Sequence, residues 1–340
     1  MKVSVWYNNS DIRLQEIETP QPGEGEILVK VASCGICGSD VVEWYRLPRA
    51  PLVQGHELSG LIVETGKNVC NFTPGKRVFV VPKVPCMECI YCKSGHHSVC
   101  TEVKERLPGG FAEYVLVPSP VVQKGTFILP DSMSFDQGTF IEPLACVVRA
   151  QEFAGKKSEI NALIFGCGVS GTLHIRLGKL YGWKIAAVDP NPFRLEFAKN
   201  SGAEFYTSNL DNLSHRITDF FGRKADVIIL CTSSLSAIRN AWDLLDKGGV
   251  LIFFAVPEPN KEVPFPVNNL WTKEIKILTS YYCGPQDIQR AFELISTKKV
   301  EVEDLITHRL PLEKTAEGFK LVLRGENCMK VIIKPNPSLV

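Results

Sequence analysis

Ile160-Asn161-Ala162-Leu163-Ile164-Phe165-Gly166-Cys167-Gly168-Val169-Ser170-Gly171 is the stretch that decides the fold of this 340-residue chain. Ile160–Phe165 reads as a continuous apolar strand, and the glycines behind it follow the pattern G-x-G-x-x-G into a helical Gly171–Leu180. The glycine pattern alone is a weak signal. Between a strand and a helix it has the context of a dinucleotide-binding turn. Gly166 permits the tight turn, Gly168 lets the backbone approach a pyrophosphate, and Gly171 lets the helix lie close on the strand. The helix N-terminus, with Val169 beside it, then faces negative charge.

Working outward, Lys184–Val188 reads as a second strand and Arg194–Ser201 as a second helix. Ala225–Cys231 and Gly249–Ala255 supply further buried strands, with a helical Ala237–Leu245 between them. Strands alternating with helices at this spacing imply a parallel sheet in a doubly wound α/β domain. Asp189 ends the second strand, eighteen residues after Gly171. A carboxylate there can accept both ribose hydroxyls of adenosine and repels a 2′-phosphate, so the expected cofactor is NAD rather than NADP. Arg194 is placed to stack on adenine and is too far past Asp189 to clamp a phosphate.

Length favours two domains. The first 150 residues have a different texture, with short strands at Ile27–Ala32, Leu61–Thr65, Arg77–Pro82 and Ala112–Val117 broken by Gly and Pro. This is an irregular, mostly β domain. A helix is expected from about Phe135 to Glu152, capped by Ser134, with Pro143 marking a kink or break. The character changes near Ser158. A further helix, Pro285–Thr297, an amphipathic stretch and the strand Lys330–Lys334 return the chain to the first domain. The expected division is 1–152, 153–283 and 284–340.

Composition is that of an ordinary globular protein, 45% hydrophobic and 22% charged, with a formal net charge of +1. Scattered Lys and Arg argue against nucleic acid or an anionic membrane as the main partner. The N-terminal residues lack a signal-peptide core, and the longest apolar runs are too short to span a bilayer. A cytoplasmic protein is expected, in which twelve cysteines point to metal rather than disulfides.

Four of them, Cys86, Cys89, Cys92 and Cys100, fall within fifteen residues as C-x2-C-x2-C-x7-C. The first three resemble a ferredoxin run, but that pattern continues with x3-C-P. Four thiolates on one compact lobe suit tetrahedral zinc, and with every position filled by sulfur the site is structural. His96 and His97 are then surface residues. Elsewhere stand Cys34-Gly-Ile-Cys37-Gly-Ser39-Asp40, Gly55-His56-Glu57 and Ile141-Glu142-Pro143-Leu144. Cysteine, histidine and carboxylate make a three-ligand zinc set with an open fourth position. Cys34-x-x-Cys37 by itself also fits a redox pair.

Taken together, these motifs, with Gly109–Tyr114 and Ile306–Lys314, resemble the zinc-dependent medium-chain alcohol/polyol dehydrogenases, sorbitol/threonine dehydrogenase branch, essentially end to end. The resemblance implies a GroES-like catalytic domain carrying the zinc lobe and a Rossmann domain for NAD. It implies that Cys37 and His56 bind a catalytic zinc, that Cys34 does not, and that Glu57 and Glu142 share the carboxylate role. By the same resemblance Ser39 relays the alcohol proton, Asp40 orients the histidine, and Asp189 and Arg194 contact the adenosine ribose. The implied reaction carries hydride from a secondary alcohol (a polyol, cyclitol or hydroxy-amino acid) to nicotinamide across a gap between two lobes, in a homo-oligomer, dimer or tetramer. Glu43 stands where sorbitol dehydrogenases offer a tyrosine, and Ser280-Tyr281 where they have Arg-Tyr. Trp44 and Tyr45 line the pocket or pack in the core. A non-catalytic nucleotide-binding relative is the rival reading; loss of a zinc ligand would favour it, and none is missing.

Overall fold

The computed structural model describes residues 1–103, 105–155 and 159–339. The change of character expected near Ser158 lies outside the described residues. The chain divides into two compact units, Met1–Ala145 with Cys283–Val340, and Cys146–Tyr282.

The second unit holds a six-stranded parallel sheet. In spatial order its strands are Phe205–Thr207, Lys184–Val188, Asn161–Phe165, Ala225–Leu230, Leu245–Phe253 and Lys276–Thr279. Numbered along the chain this is 3-2-1-4-5-6, the doubly wound order that binds dinucleotides where the strand order reverses. Asn161–Phe165 is apolar throughout because both of its faces are covered. Leu163 and Phe165 enter one core with Ile228, Ile238 and Leu251. Ala162 and Ile164 enter the other with Ile175, Ile185 and Ile229. The short outer strands Phe205–Thr207 and Lys276–Thr279 carry too few apolar residues to stand out in the sequence.

The first unit is built on a seven-stranded sheet in the order Ile306–Pro311, Lys330–Lys334, Ile27–Gly35, Glu57–Thr65, Arg77–Val80, Thr126–Ile128, with Tyr114–Val117 paired to Ile27–Gly35. The C-terminal strand thus enters beside the strand that leads to Cys37: Ile332 pairs with Gly35 and Ile333 with Cys34. A three-stranded sheet of Asp11–Glu16, Lys2–Asn8 and Leu52–Val53 lies in the same unit. Trp6, Phe79, Phe111 and Phe319 are buried in this unit, the last two edge to face at 5.8 Å. The helix expected over Phe135–Glu152 is two helices. Ser134 caps Phe135–Gly138 through a reciprocal box with Gln137, and a second helix runs Ile141–Ala154. Pro143 falls in the first turn of the second, where its missing N–H costs no helical bond. None of the helices among the described residues is long and apolar enough to cross a membrane.

Candidate metal and cofactor centres

Cys37 ends the loop that follows the strand Ile27–Gly35 and caps the short 3-10 helix Gly38–Val41. Its thiol accepts from the Ser39 backbone N–H at 3.4 Å and lies 3.3 Å from Ser39 Oγ, while its own N–H donates to Asp40 Oδ2 at 3.0 Å. This reciprocal cap is why Ser39 and Asp40 follow so closely in sequence: the turn that presents the sulfur also aims the hydroxyl and the carboxylate. Glu57 opens the neighbouring strand Glu57–Thr65, with His56 just ahead of it. Donor atoms of Cys37, His56 and Glu57 all lie within 4.8 Å of one another.

Buried Asp40 faces His56, Oδ1 to Nδ1 at 3.2 Å, which leaves Nε2 as the ring nitrogen not turned to Asp40. A carboxylate behind an imidazole fixes its orientation and raises its basicity as a ligand. The same Oδ1 accepts from Arg46 Nη2 at 2.8 Å, and that nitrogen also donates to Ser39 Oγ at 2.9 Å. Burial pushes the Asp40 carboxyl up, but His56 and Arg46 outweigh it and hold it below the usual carboxylate range. Arg46 belongs to none of the sequence motifs; its place seven and six residues after Ser39 and Asp40, on the helix Glu43–Arg46, was the available signal.

Glu57 is fully buried and paired through Oε2 with the Lys330 ammonium, itself only 2% exposed. Its other oxygen, Oε1, is buried with no hydrogen-bond partner among the described residues. A buried, unpartnered oxygen on a carboxylate grouped with a thiol and an imidazole fits a metal ion, since burying such an acceptor unsatisfied is costly. Glu142, in the first turn of Ile141–Ala154, is also buried, and burial pushes its carboxyl up to about 7. Cys34 stands apart. Its buried thiol points between Gly55 and Gly110, where a Cβ on either would meet the sulfur at 2.7 or 2.8 Å, and burial raises it well above the usual thiol range. It forms no disulfide with Cys37.

Cys86, Cys89, Cys92 and Cys100 bring their sulfurs within 4.8 Å of one another, with Cys86–Cys92 and Cys89–Cys100 separations of 3.9 Å. Sulfurs about 2.3 Å from a tetrahedral zinc stand roughly 3.8 Å apart, so the set fits. Backbone N–H groups of Glu88 and Cys89 donate to Cys86 Sγ at 3.3 and 3.2 Å, as suits a thiolate. His96 is exposed; His97 is half-buried and packs on Gly284.

In the second unit, Gly166 adopts φ +90°, and a Cβ on Gly171 would run into the Gly166 carbonyl oxygen. A Cβ on Gly168 would meet nothing within 4 Å, leaving the helix N-terminus at Val169 open. Asp189 is buried at the end of its strand, Oδ2 accepting from the Cys167 N–H at 2.7 Å and Oδ1 from the Asn191 N–H at 2.8 Å. Arg194 Nε is buried without a hydrogen-bond partner among the described residues.

Around the expected substrate wall, Glu43 accepts from the Asn9 N–H at 2.8 Å, which ties it to the loop between the first two strands. Trp44 is exposed rather than in the core, and Tyr45 lies between the Arg46 and Arg49 guanidiniums at 5.0 and 4.9 Å. Ser280 Oγ is buried without a hydrogen-bond partner among the described residues, and Tyr281 is exposed.

Comparison with known proteins agrees along the whole chain. The family described as "Alcohol dehydrogenase GroES-like domain" matches residues 23–129, and "Zinc-binding dehydrogenase" matches residues 170–297. A sorbitol dehydrogenase of Gallus gallus is 30% identical over 354 residues, covering 98% of this chain and 96% of that protein. Among solved structures, a 2R,3R-butanediol dehydrogenase from Bacillus subtilis is 28% identical with a TM-score of 0.86, covering 98% of this chain and 99% of that one. A protein described as a zinc-binding dehydrogenase from Sinorhizobium meliloti 1021, bound to NADP, is 26% identical with a TM-score of 0.87 and coverage of 98% and 99%.

Proposed function

This chain belongs to the zinc-dependent medium-chain alcohol and polyol dehydrogenases, and on that premise we propose that it oxidises a secondary alcohol of a polyhydroxylated compound to the ketone, with NAD as acceptor and two zinc ions per chain. Cys37, His56 and Glu57 hold the zinc that serves the reaction; Cys86, Cys89, Cys92 and Cys100 hold the structural one. Bound zinc supplies Lewis acidity at the substrate oxygen, and nicotinamide supplies the carbon that accepts hydride.

The rest is done by the chain itself. Ser39 Oγ takes the alcohol proton as it releases its own towards solvent, and Asp40 keeps the His56 ring in place. Glu142 is a second buried carboxylate, suited to contact substrate through water or to exchange with Glu57. Buried Asp189 favours NAD, because a 2′-phosphate against its carboxylate would leave two anions facing each other in a poorly solvated site. Arg194 stacks on adenine. A reduced, cytoplasmic setting and a homo-oligomer, dimer or tetramer, belong to the same proposal.

The observation that carries this reading is the convergence of thiol, imidazole and carboxylate donors within 4.8 Å, with the Ser39 hydroxyl 3.3 Å from the sulfur. To test it, the chain is mixed with NAD and a panel of polyols, cyclitols, secondary alcohols and hydroxy-amino acids, and NADH absorbance is followed. Turnover is expected with members of the polyol group. Cys37→Ala should abolish it while NAD still binds; full turnover by Cys37→Ala protein free of metal at that site would overturn the reading.

A further inference from the structure

Lys330 is one of the largest fully buried side chains of the protein, and it is a cation. Four groups cage it. Its Nζ pairs with Glu57 Oε2, sits 5.5 Å from the Phe140 ring centroid and lies 3.5 Å from the Ile36 carbonyl oxygen. The fourth wall is Gly35, where an added Cβ would meet Lys330 Cε at 2.8 Å and Nζ at 3.0 Å as well as the Glu57 carboxylate. The ammonium therefore cannot swing away from Glu57, and the carboxylate has one oxygen taken and one, Oε1, unpartnered among the described residues.

We infer that Lys330 is a positioning residue that works against metal affinity: it holds Glu57 to a single free oxygen and withdraws electron density from it. The inference rests on the proposed zinc site at Cys37, His56 and Glu57. A fixed positive charge beside a divalent cation repels it, and a carboxylate shared with an ammonium is a poorer electron donor. The ion is held less tightly but stays more electrophilic towards the alcohol oxygen. Without zinc, the same ammonium neutralises a carboxylate that would otherwise be buried unpaired.

The test is Lys330→Met, which keeps length and removes charge. Affinity at the Cys37 site is measured by chelator competition with Co(II) in place of zinc, whose absorption distinguishes a one-sulfur site from the four-sulfur lobe. Lys330→Met should bind the ion about tenfold more tightly or better, the scale on which groups behind metal ligands act. Its melting temperature should fall further in the metal-stripped protein than in the loaded protein. Weaker or unchanged affinity, or an equal fall in both forms, overturns the inference. If Lys330→Met does not fold, the same substitution is made on Glu57→Gln, where the residue paired with Lys330 carries no charge; tighter binding than Glu57→Gln alone supports the inference, and its absence overturns it. Failure of the parent chain to bind an ion through Cys37 would instead remove the functional proposal itself.

Discussion

Gly35→Ala is a one-methyl perturbation whose consequence can be worked from the geometry. Gly35 lacks a positive φ, so alanine meets no backbone penalty there. The new Cβ would instead meet Glu57 Oε2, with Lys330 Cε at 2.8 Å and Nζ at 3.0 Å. Side-chain ends usually yield cheaply to such an intrusion. These cannot, because Glu57 and Lys330 are 0% and 2% exposed and paired with each other, with Lys330 over the Phe140 ring. Forcing a methyl into a packed core costs about 1–3 kcal/mol, and parting a buried ion pair about 3–5 kcal/mol. A cost of about 3 kcal/mol is expected, a drop of roughly 6–12 °C for a unit of this size. Gly38, three residues on and exposed, is the internal control, since a Cβ there would meet nothing within 4 Å. Gly38→Ala should stay within about 0.5 kcal/mol of the parent. The assay is thermal unfolding of both variants, with metal content at the Cys37 site determined alongside. A Gly35→Ala protein that melts with the Gly38→Ala control and holds metal as the parent does would refute the reasoning.

Cys89→Ser should empty the four-sulfur lobe and make residues 86–100 sensitive to protease while the Cys37 site keeps its ion; an unchanged digestion pattern would count against a structural metal there. Asp136 accepts from Ser33 Oγ, Arg309 Nε and Lys334 Nζ at 2.6, 2.6 and 2.9 Å, and although burial pushes its carboxyl up, these partners hold it below the usual range. Because the folded value lies below the unfolded value of about 3.9, its contribution is complete at higher pH and fades as pH falls through the folded value. Asp136→Asn should therefore cost about 2 kcal/mol near neutrality, and the gap should close below about pH 4; a gap constant with pH would exclude the ionised carboxylate as its source. Asp189→Ala should weaken NAD by about 10–100-fold relative to its effect on NADP, read as the ratio of kcat/KM values, which a general loss of folding would not shift.

Features held within one turn or one strand were legible. The glycine turn could be read because its strand, glycines and helix are contiguous, and the six strands around it stack in the order such a turn requires. The four-cysteine lobe could be read because its cysteines lie within fifteen residues. Cys37, Ser39 and Asp40 belong together through a single helix cap. The short strands Leu52–Val53, Thr126–Ile128 and Phe205–Thr207 were not legible, since two or three residues carry no period. Nor was the break ahead of Ile141, which a proline in the following first turn placed only approximately.

By itself the sequence determined the fold class, the glycine turn and which residues to consider as metal ligands, because each depends on chemistry spaced over a few residues. Tertiary structure alone decided what stands behind those ligands. Lys330 reads as an ordinary member of a final strand until Ile332 pairs with Gly35 and carries the ammonium to Glu57, 273 residues away in sequence. A buried charge takes its partner from whichever strand the sheet order sets beside it, and that order arises from packing many residues at once.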